Sequence, residues 1–513
     1  MWKAAPLGRP FVFLEHQLEL TPTFSCHIDS GWNRGRTLSL LGRLQDHSER
    51  MGEVEAISSA EHSALTYREL QGRVAAGAAF LKSQGIAAGT AIGIAVTDEV
   101  EHLTATLALM AVGAHQVTLA SHDTAGAKER IARRLELTHI LEAPATEDLP
   151  GLVRVSWPQR GVAPTVNVIE WTEGGGIIYF GTSGTTGEMK LLPLTDRQIA
   201  AQAQRHHDYA GERVLRLGSI EHNISKRLRL YCVWAGGTNV FVPDGEFDVA
   251  DLCVHQRVTE LDISRLHAAD LAARELSMLR GVRISVAGSP LPFDVRRSIE
   301  RNVTPLLTVR YGATECGTIA FAGPGEHDEA EAVGPPVRGL ELQIVDPAGA
   351  PLPPGTTGLI RLRVDGMTSG YVGDPQETQA RFRDGWFYPG DVGMVRADGN
   401  LIVQGRSDDM MILNGINVFP AEIERVLERH PAVLASAALP LESKVHGQIP
   451  VAAVELRSGV AVTTGELLSY ARELLALRAP RRILVLEALP RNSQGKILRR
   501  EIAAQFETAR SGR

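Results

Sequence analysis

Thr182-Ser183-Gly184-Thr185-Thr186-Gly187-Glu188-Met189-Lys190 is the stretch on which the reading of this chain turns. It lies between two apolar runs, Ile177-Ile178-Tyr179-Phe180 and Leu191-Leu192-Pro193-Leu194-Thr195, so residues 177–195 read strand, loop, strand. From Gly181 to Gly187 every residue is Gly, Ser or Thr. Such a loop can offer backbone N–H groups and hydroxyls to phosphate oxygens, and its glycines allow close approach. Lys190 adds a point charge. This is not a Walker A loop: G-x-x-x-x-G-K-[ST] is absent, and a strand rather than a helix follows the lysine. On this loop alone, a plain hairpin tip explains the composition equally well.

Before the loop, the pattern becomes regular at Leu65. Thr66 can cap a helix running to Leu81-Lys82, with Leu70, Val74, Ala78 and Leu81 on its apolar face and Gly85 ending it. Ala91–Val96 reads as a buried strand, Glu99–Val112 as a helix closed by Gly113, and Gln116–Ala120 as another strand. This alternation predicts α/β layers with a mostly parallel sheet. It continues to about residue 310, through strands at Asn239–Val242 and Val282–Val286. Residues 1 to about 60 carry mixed signals and yield no element.

From about 333 to 404 the texture changes. Short strands at Leu342–Val345, Gly358–Leu362, Gly393–Val395 and Leu401–Val403 alternate with turn signals such as Asp384-Gly385 and Asp398-Gly399. That predicts a β-rich subdomain. After Gly405, Pro420 opens a helix with Glu422 and Glu424 in its first turn. Strands at Ala435–Leu439, Val451–Leu456 and Ile483–Leu486 and a helix at Thr464–Leu477 follow, as expected of a separate α+β domain.

Bulk properties narrow the class. The 513 residues are 44% hydrophobic and 22% charged, ordinary for a globular protein able to bury a large core. The net charge of −7 argues against a general nucleic-acid or anionic-membrane binder. Cys26, Cys232, Cys253 and Cys316 lie in no metal-like spacing and suit a reducing compartment. Cys316 reads as a packing residue. With no apolar run of signal-peptide or membrane-spanning length, the expectation is a cytoplasmic protein with no membrane partner.

The loop resembles the phosphate loop, TSGTTGxxK, of the adenylate-forming superfamily: acyl-CoA synthetases, peptide-synthetase adenylation domains and firefly-type luciferases. Further segments resemble that family's motifs in the family's order. They are Ala287-Gly288-Ser289-Pro290-Leu291, Tyr311-Gly312-Ala313-Thr314-Glu315, Tyr388-Pro389-Gly390-Asp391, Gly405-Arg406-Ser407-Asp408-Asp409, the stretch Asn414–Glu424, and Leu489–Lys496 with its terminal Gly495-Lys496. The resemblance covers about Leu65 to Arg500. It implies an α/β fold with a large N-terminal domain (1–404) of layered sheets, including the β-rich subdomain. A small α+β C-terminal domain (405–513) would follow, hinged at Asp408.

The resemblance also implies a reaction. ATP would activate a carboxylic acid as an acyl-adenylate with release of pyrophosphate, and the acyl group would pass to CoA or to the phosphopantetheine of an acyl carrier protein. Thr182, Ser183, Gly184, Thr185, Thr186, Gly187 and Lys190 would hold the leaving phosphates. Gly288, Ser289, Tyr311 and Gly312 would border the nucleotide. Thr314 would face the α-phosphate and Glu315 would hold Mg2+, without which a carboxylate has the wrong sign for a triphosphate. Asp391 would accept the ribose hydroxyls, Arg406 would contact ribose or phosphate, and Lys496 would bridge the substrate carboxylate and the α-phosphate. Rotation at Asp408 would then bring Gly415 to line a thiol tunnel. The chain departs from the family pattern at Met189, Leu191, Asp196 and Pro389.

The acid pocket is less legible. His222-Asn223 is similar to a His-Asn pair of aryl-acid activating enzymes, and with Gly312 and Gly317 would line the pocket. Glu221 suits an amino group instead, which keeps open an amino- or β-amino-acid enzyme that loads a carrier protein. Lys226, Arg227 and Arg229 read either as a solvated helix face or as contacts for a second carboxylate or an acceptor phosphate. A catalytically silent nucleotide-binding relative and transfer of the acyl group to an amine are further readings, and a homodimer is an open expectation.

Overall fold

The computed structural model describes residues 39–59, 64–143, 149–158, 175–183, 189–206, 209–413, 416–443, 447–491 and 497–511. Two mainly parallel sheets form the larger part. One has the order Val153–Ser156, His139–Ala143, Ala91–Val96, His115–Thr118, Ile177–Ser183, Met189–Thr195. Its pairs are parallel except the last. The other has eight strands, with Arg283–Ala287, Glu260–Ile263, Arg213–Arg216 and Thr238–Phe241 at its centre and Leu307–Ala313 and Gly317–Ala322 at one edge.

Helices fill the space between them. Thr66 caps the Tyr67–Ser83 helix through a capping box with Glu69, worth about 1 kcal/mol. Leu70, Val74, Ala78 and Leu81 are all buried. The Glu99–Val112 helix runs from its Asp98 cap to left-handed Gly113, and every residue after Glu99 is buried. One core cluster joins these helices to both sheets, through Ile92 and Ile178 in one and Ile57 and Val214 in the other. Each fully buried aliphatic side chain contributes roughly 1.5–3 kcal/mol.

The β-rich expectation holds. Glu341–Val345, Gly358–Arg363, Phe382–Arg383, Trp386–Phe387, Asp391–Val395 and Leu401–Arg406 form an antiparallel sheet. The last strand runs past 404, because Val392 pairs with Gly405 and Asp391 with Arg406. The expected separate C-terminal layer follows, with Val433–Ser443 and Gly447–Leu456 as its long hairpin, Ile483–Leu486 added in parallel, and the Pro420–Glu428 and Thr464–Leu475 helices packed on it. Arg425–Glu331 and Arg265–Glu428 ion pairs tie its first helix to the larger part.

The stretch before 60 is not without elements. Ser39 caps a helix, Leu40–Met51, and Glu55–Ser59 joins the eight-stranded sheet beside Thr238–Phe241. The structure accounts for Asp196 here. Its Oδ1 accepts from the Leu40 backbone N–H at 2.6 Å, which anchors the start of that helix. Asp196 is 3% exposed, and burial raises its carboxyl from 3.8 to about 6, against the pull of hydrogen bonds from Leu40 and Ser39. The folded pKa exceeds the unfolded one, so the folded state gains stability as pH falls through about 6 towards 3.8, and the ionised group is a liability at neutral pH. Asp196→Asn keeps an acceptor without the charge. The melting temperature of the variant relative to wild type is expected to be more favourable at pH 7.5 than at about pH 5. A difference that does not change with pH would contradict the raised carboxyl.

Candidate functional site

The Gly/Ser/Thr loop joins the two strands of a hairpin, with Thr182 opposite Lys190 and Ser183 opposite Met189. The sequence reading of strand, loop, strand is borne out. Gly184, Thr185, Thr186 and Gly187 lie outside the described residues, as do Gly415 and Lys496. Gly181 packs against the Met189 side chain across the hairpin.

Lys190 forms an ion pair with Glu377 and lies 5.5 Å from the centre of the Tyr371 ring. The Tyr371 hydroxyl donates to Glu315 Oε1 at 2.7 Å. Glu377 also takes Arg381 at 2.8 Å, and Arg381 reaches Asp408 at 3.3 Å. Asp408 accepts two bonds from Arg406, at 3.0 and 2.9 Å. Arg406 is 3.5 Å from Asp391, which accepts from the Tyr311 hydroxyl. Charges thus alternate from Lys190 at the hairpin to Asp391, which the Tyr311 hydroxyl ties to the eight-stranded sheet. Burial raises the Asp391 carboxyl, with Tyr311 and Arg406 opposing. Burial would also raise Asp408, but its bonds to Arg406 outweigh that and hold it below the ordinary carboxylate range.

Tyr311, Gly312, Thr314, Glu315 and Gly317 lie on or beside the turn between strands Leu307–Ala313 and Gly317–Ala322. Gly317 has φ +84°, and a Cβ on Gly312 would meet the Gly317 carbonyl at 2.6 Å, so both positions demand glycine. Arg310, beside Tyr311, is paired with buried Asp262, which also binds Arg216 at 2.7 Å. Gly288 and Ser289 are exposed just after the Arg283–Ala287 strand, with Gly288 at φ +88°.

His222 and Asn223 open the Asn223–Ala235 helix. His222 packs against His122 with ring centres 5.0 Å apart, and Asn223 Nδ2 donates to the Gly181 carbonyl. Glu221 accepts from the Ser121 N–H at 2.8 Å and hydroxyl at 2.6 Å, so its carboxylate is already engaged. The solvated-face reading of the helix cations is overturned. Lys226 is 1% exposed, Arg227 8% and Arg229 0%, because the helix lies between the two sheets. Arg229 pairs with Glu99 at 2.8 Å, and Lys226 donates to Thr118 at 2.7 Å. Burial pushes the Lys226 ammonium down to about 7, with Glu221 pulling the other way.

The sequence reading missed Tyr371, Glu377 and Arg381, which link Lys190 and Glu315 to the Asp391 cluster. The Asp374 cap and Pro375 mark the start of the helix that carries Glu377 and Arg381, Pro375–Arg381, but nothing local says that it faces the hairpin.

The model of the AMP-binding enzyme family matches residues 44–372, and that of the AMP-binding enzyme C-terminal domain matches residues 422–496. The chain belongs to the AMP-binding enzyme family. It is 26% identical over 509 residues to 4-coumarate–CoA ligase 5 of Oryza sativa subsp. japonica, covering 90% of this chain and 93% of that one. It is 35% identical over 221 residues to 2-succinylbenzoate–CoA ligase of Geobacillus kaustophilus, covering 42% and 44%. The amide bond synthetase McbA of Marinactinospora thermotolerans has the same fold, with a TM-score of 0.81 at 24% identity over 91% of this chain and 99% of that one. No helix among the described residues is long and apolar enough to cross a membrane.

Cys316 is fully buried beside Ile319, Leu362 and Phe387, in keeping with a packing role. Burial pushes the thiols of Cys232, Cys253 and Cys316 up to about 12. Thiolate is the reactive form. A thiol titration of the native protein is therefore expected to leave these three unmodified and to reach all four cysteines only in denaturant. Fast labelling of Cys316 in the folded protein would contradict its packing role.

Proposed function

We propose that the chain activates an aryl carboxylic acid with ATP and transfers the acyl group to CoA. The reaction class is that of an AMP-forming acid–thiol ligase. The observation that carries the residue-level reading is the gathering of Lys190, Glu315, Tyr311, Asp391 and Arg406 into one connected cluster, although they span more than 200 positions of sequence.

A carboxylate is a poor electrophile, and its attack on the α-phosphorus of ATP brings two anions together. The site must therefore supply positive charge and orientation. Lys190 and the Thr182–Gly187 loop hold the β- and γ-phosphates, and Lys190 exchanges Glu377 for the ligand. Asp391 accepts from the ribose hydroxyls, with Tyr311 and Arg406 fixing its carboxylate. Thr314 lies against the α-phosphate. A single carboxylate at Glu315, oriented by Tyr371, suits Mg2+, a hard ion that is usually held by only one or two protein carboxylates. Glu315 would hold that ion, which would supply charge neutralisation at the phosphates. Lys496 bridges the reacting oxygen and the α-phosphate, and it gives way to the thiol tunnel at Gly415 when the segment after Asp408 rotates. Together, five charged side chains suited to this chemistry favour a working enzyme over a silent nucleotide binder.

An aryl acid is supported by the 4-coumarate and 2-succinylbenzoate ligases among the relatives. His222, Gly312 and Gly317 border its ring. The engagement of Glu221 by Ser121 leaves less support for an amino acid. A carrier-protein phosphopantetheine would present the same thiol as CoA.

ATP–pyrophosphate exchange over a panel of aryl, β-amino, dicarboxylic and fatty acids is expected to peak on an aryl acid; no exchange with any of them would remove the proposal. Lys496→Ala is expected to slow adenylate formation by about a hundredfold or more, while thioesterification of a supplied acyl-adenylate largely survives. Equal survival of both half-reactions would sink the role given to Lys496.

A further inference from the structure

The Asn223–Ala235 helix touches both backbone segments that flank the proposed nucleotide site. Asn223 donates through Nδ2 to the carbonyl of Gly181, the residue before Thr182. Arg227 donates through Nη1 to the Thr314 carbonyl at 2.9 Å and reaches that of Ala313 at 3.5 Å. Residues four apart share a face of a helix, and their attachment points differ by about 6 Å along its axis. One rigid turn therefore spans the gap between the phosphate hairpin and the Thr314–Glu315 turn.

Arg227 is a costly way to make a packing contact. It is 8% exposed, and no carboxylate forms an ion pair with it among the described residues. Its buried charge is compensated by turn carbonyls. A second guanidinium, Arg205, donates to the Cys316 carbonyl at 3.1 Å on the same turn. In a trans peptide the C=O and N–H point in opposite directions. Drawing the Ala313 and Thr314 carbonyls towards the helix therefore turns the Thr314 and Glu315 N–H groups away from it. A cation behind the carbonyls also polarises those peptide units towards an anion on their N–H side.

We propose that Asn223 and Arg227 are positioning residues for ATP. Acting through the Gly181 and Thr314 carbonyls, they hold the hairpin and the turn at the separation a triphosphate needs. The inference rests on the reading of those two segments as the ATP site. It also gives Asn223 a different job from contact with the acid.

The test is steady-state pyrophosphate exchange with ATP and acid varied separately, alongside melting temperatures with and without MgATP. Arg227→Gln is expected to raise KM for ATP by about tenfold, the size of one lost charge-assisted hydrogen bond, and to leave KM for the acid unchanged. Arg227→Lys, which keeps the charge but not the fork, should show the same split with a smaller effect, and it serves if the glutamine variant does not fold. Asn223→Ala combined with Arg227→Gln should cost less than the sum of the two, since a strut released at one end holds nothing at the other. A folded Arg227 variant with unchanged KM for ATP would overturn the proposal, as would a rise confined to KM for the acid. If MgATP fails to raise the melting temperature of the wild type, the ATP-site reading itself falls. If MgATP raises wild type and Arg227→Gln equally, only the strut falls.

Discussion

The Glu99–Val112 helix is buried on nearly every face, and the rest of the molecule is arranged to keep water from it. A helix of that kind cannot lie on a surface, so a single sheet is not enough to bury it. The Leu40–Met51, Tyr67–Ser83 and Asn223–Ala235 helices surround it, and two sheets close over the layer. Each sheet is then buried on the face it turns to the helices. The hairpin at Thr182 belongs to one sheet and the turn at Glu315 to the other. Their meeting follows from the shared helical layer.

That layer also explains the electrostatics. A helix inserted between two sheets carries its polar side chains into a dry interior, where each must find a partner. Arg229 finds Glu99, Lys226 finds Thr118, and Arg227 finds the carbonyls of the Ala313–Thr314 turn. Near the surface, the alternating chain from Lys190 through Glu377, Arg381, Asp408 and Arg406 to Asp391 crosses from the hairpin to the β-rich sheet. Asp408 belongs to that chain, held by Arg381 on one side and Arg406 on the other.

Local signals were enough for most elements. Ala91–Val96, Glu99–Val112 and Ile483–Leu486 lie where alternation, caps and glycines put them. Thr66 and Gly113 mark helix ends because capping is decided within four residues. The early helix was overlooked although Ser39 before Leu40-Leu41 is a legible cap. Its strand partner, Glu55–Ser59, pairs with residues near 240, and a five-residue strand with so distant a neighbour carries little signal of its own. The cations of the Asn223–Ala235 helix were misjudged for a related reason: charge argues for solvent, and only the second sheet removes it.

The sequence alone determined the reaction class through the resemblance of its collinear motifs to those of the adenylate-forming superfamily, and it placed most elements because caps, glycines and apolar periodicity act within a few residues of the chain. It also determined the strand–loop–strand form of the Thr182–Lys190 segment. Tertiary structure decided which groups meet. The ties of Tyr371 to Glu315, Glu377 to Lys190, Asp196 to the first helix, Asn223 to the Gly181 carbonyl and Arg227 to the Thr314 carbonyl are contacts between elements far apart in the chain. No spacing in a sequence encodes such contacts, since they depend on how buried layers stack rather than on what lies next in the chain.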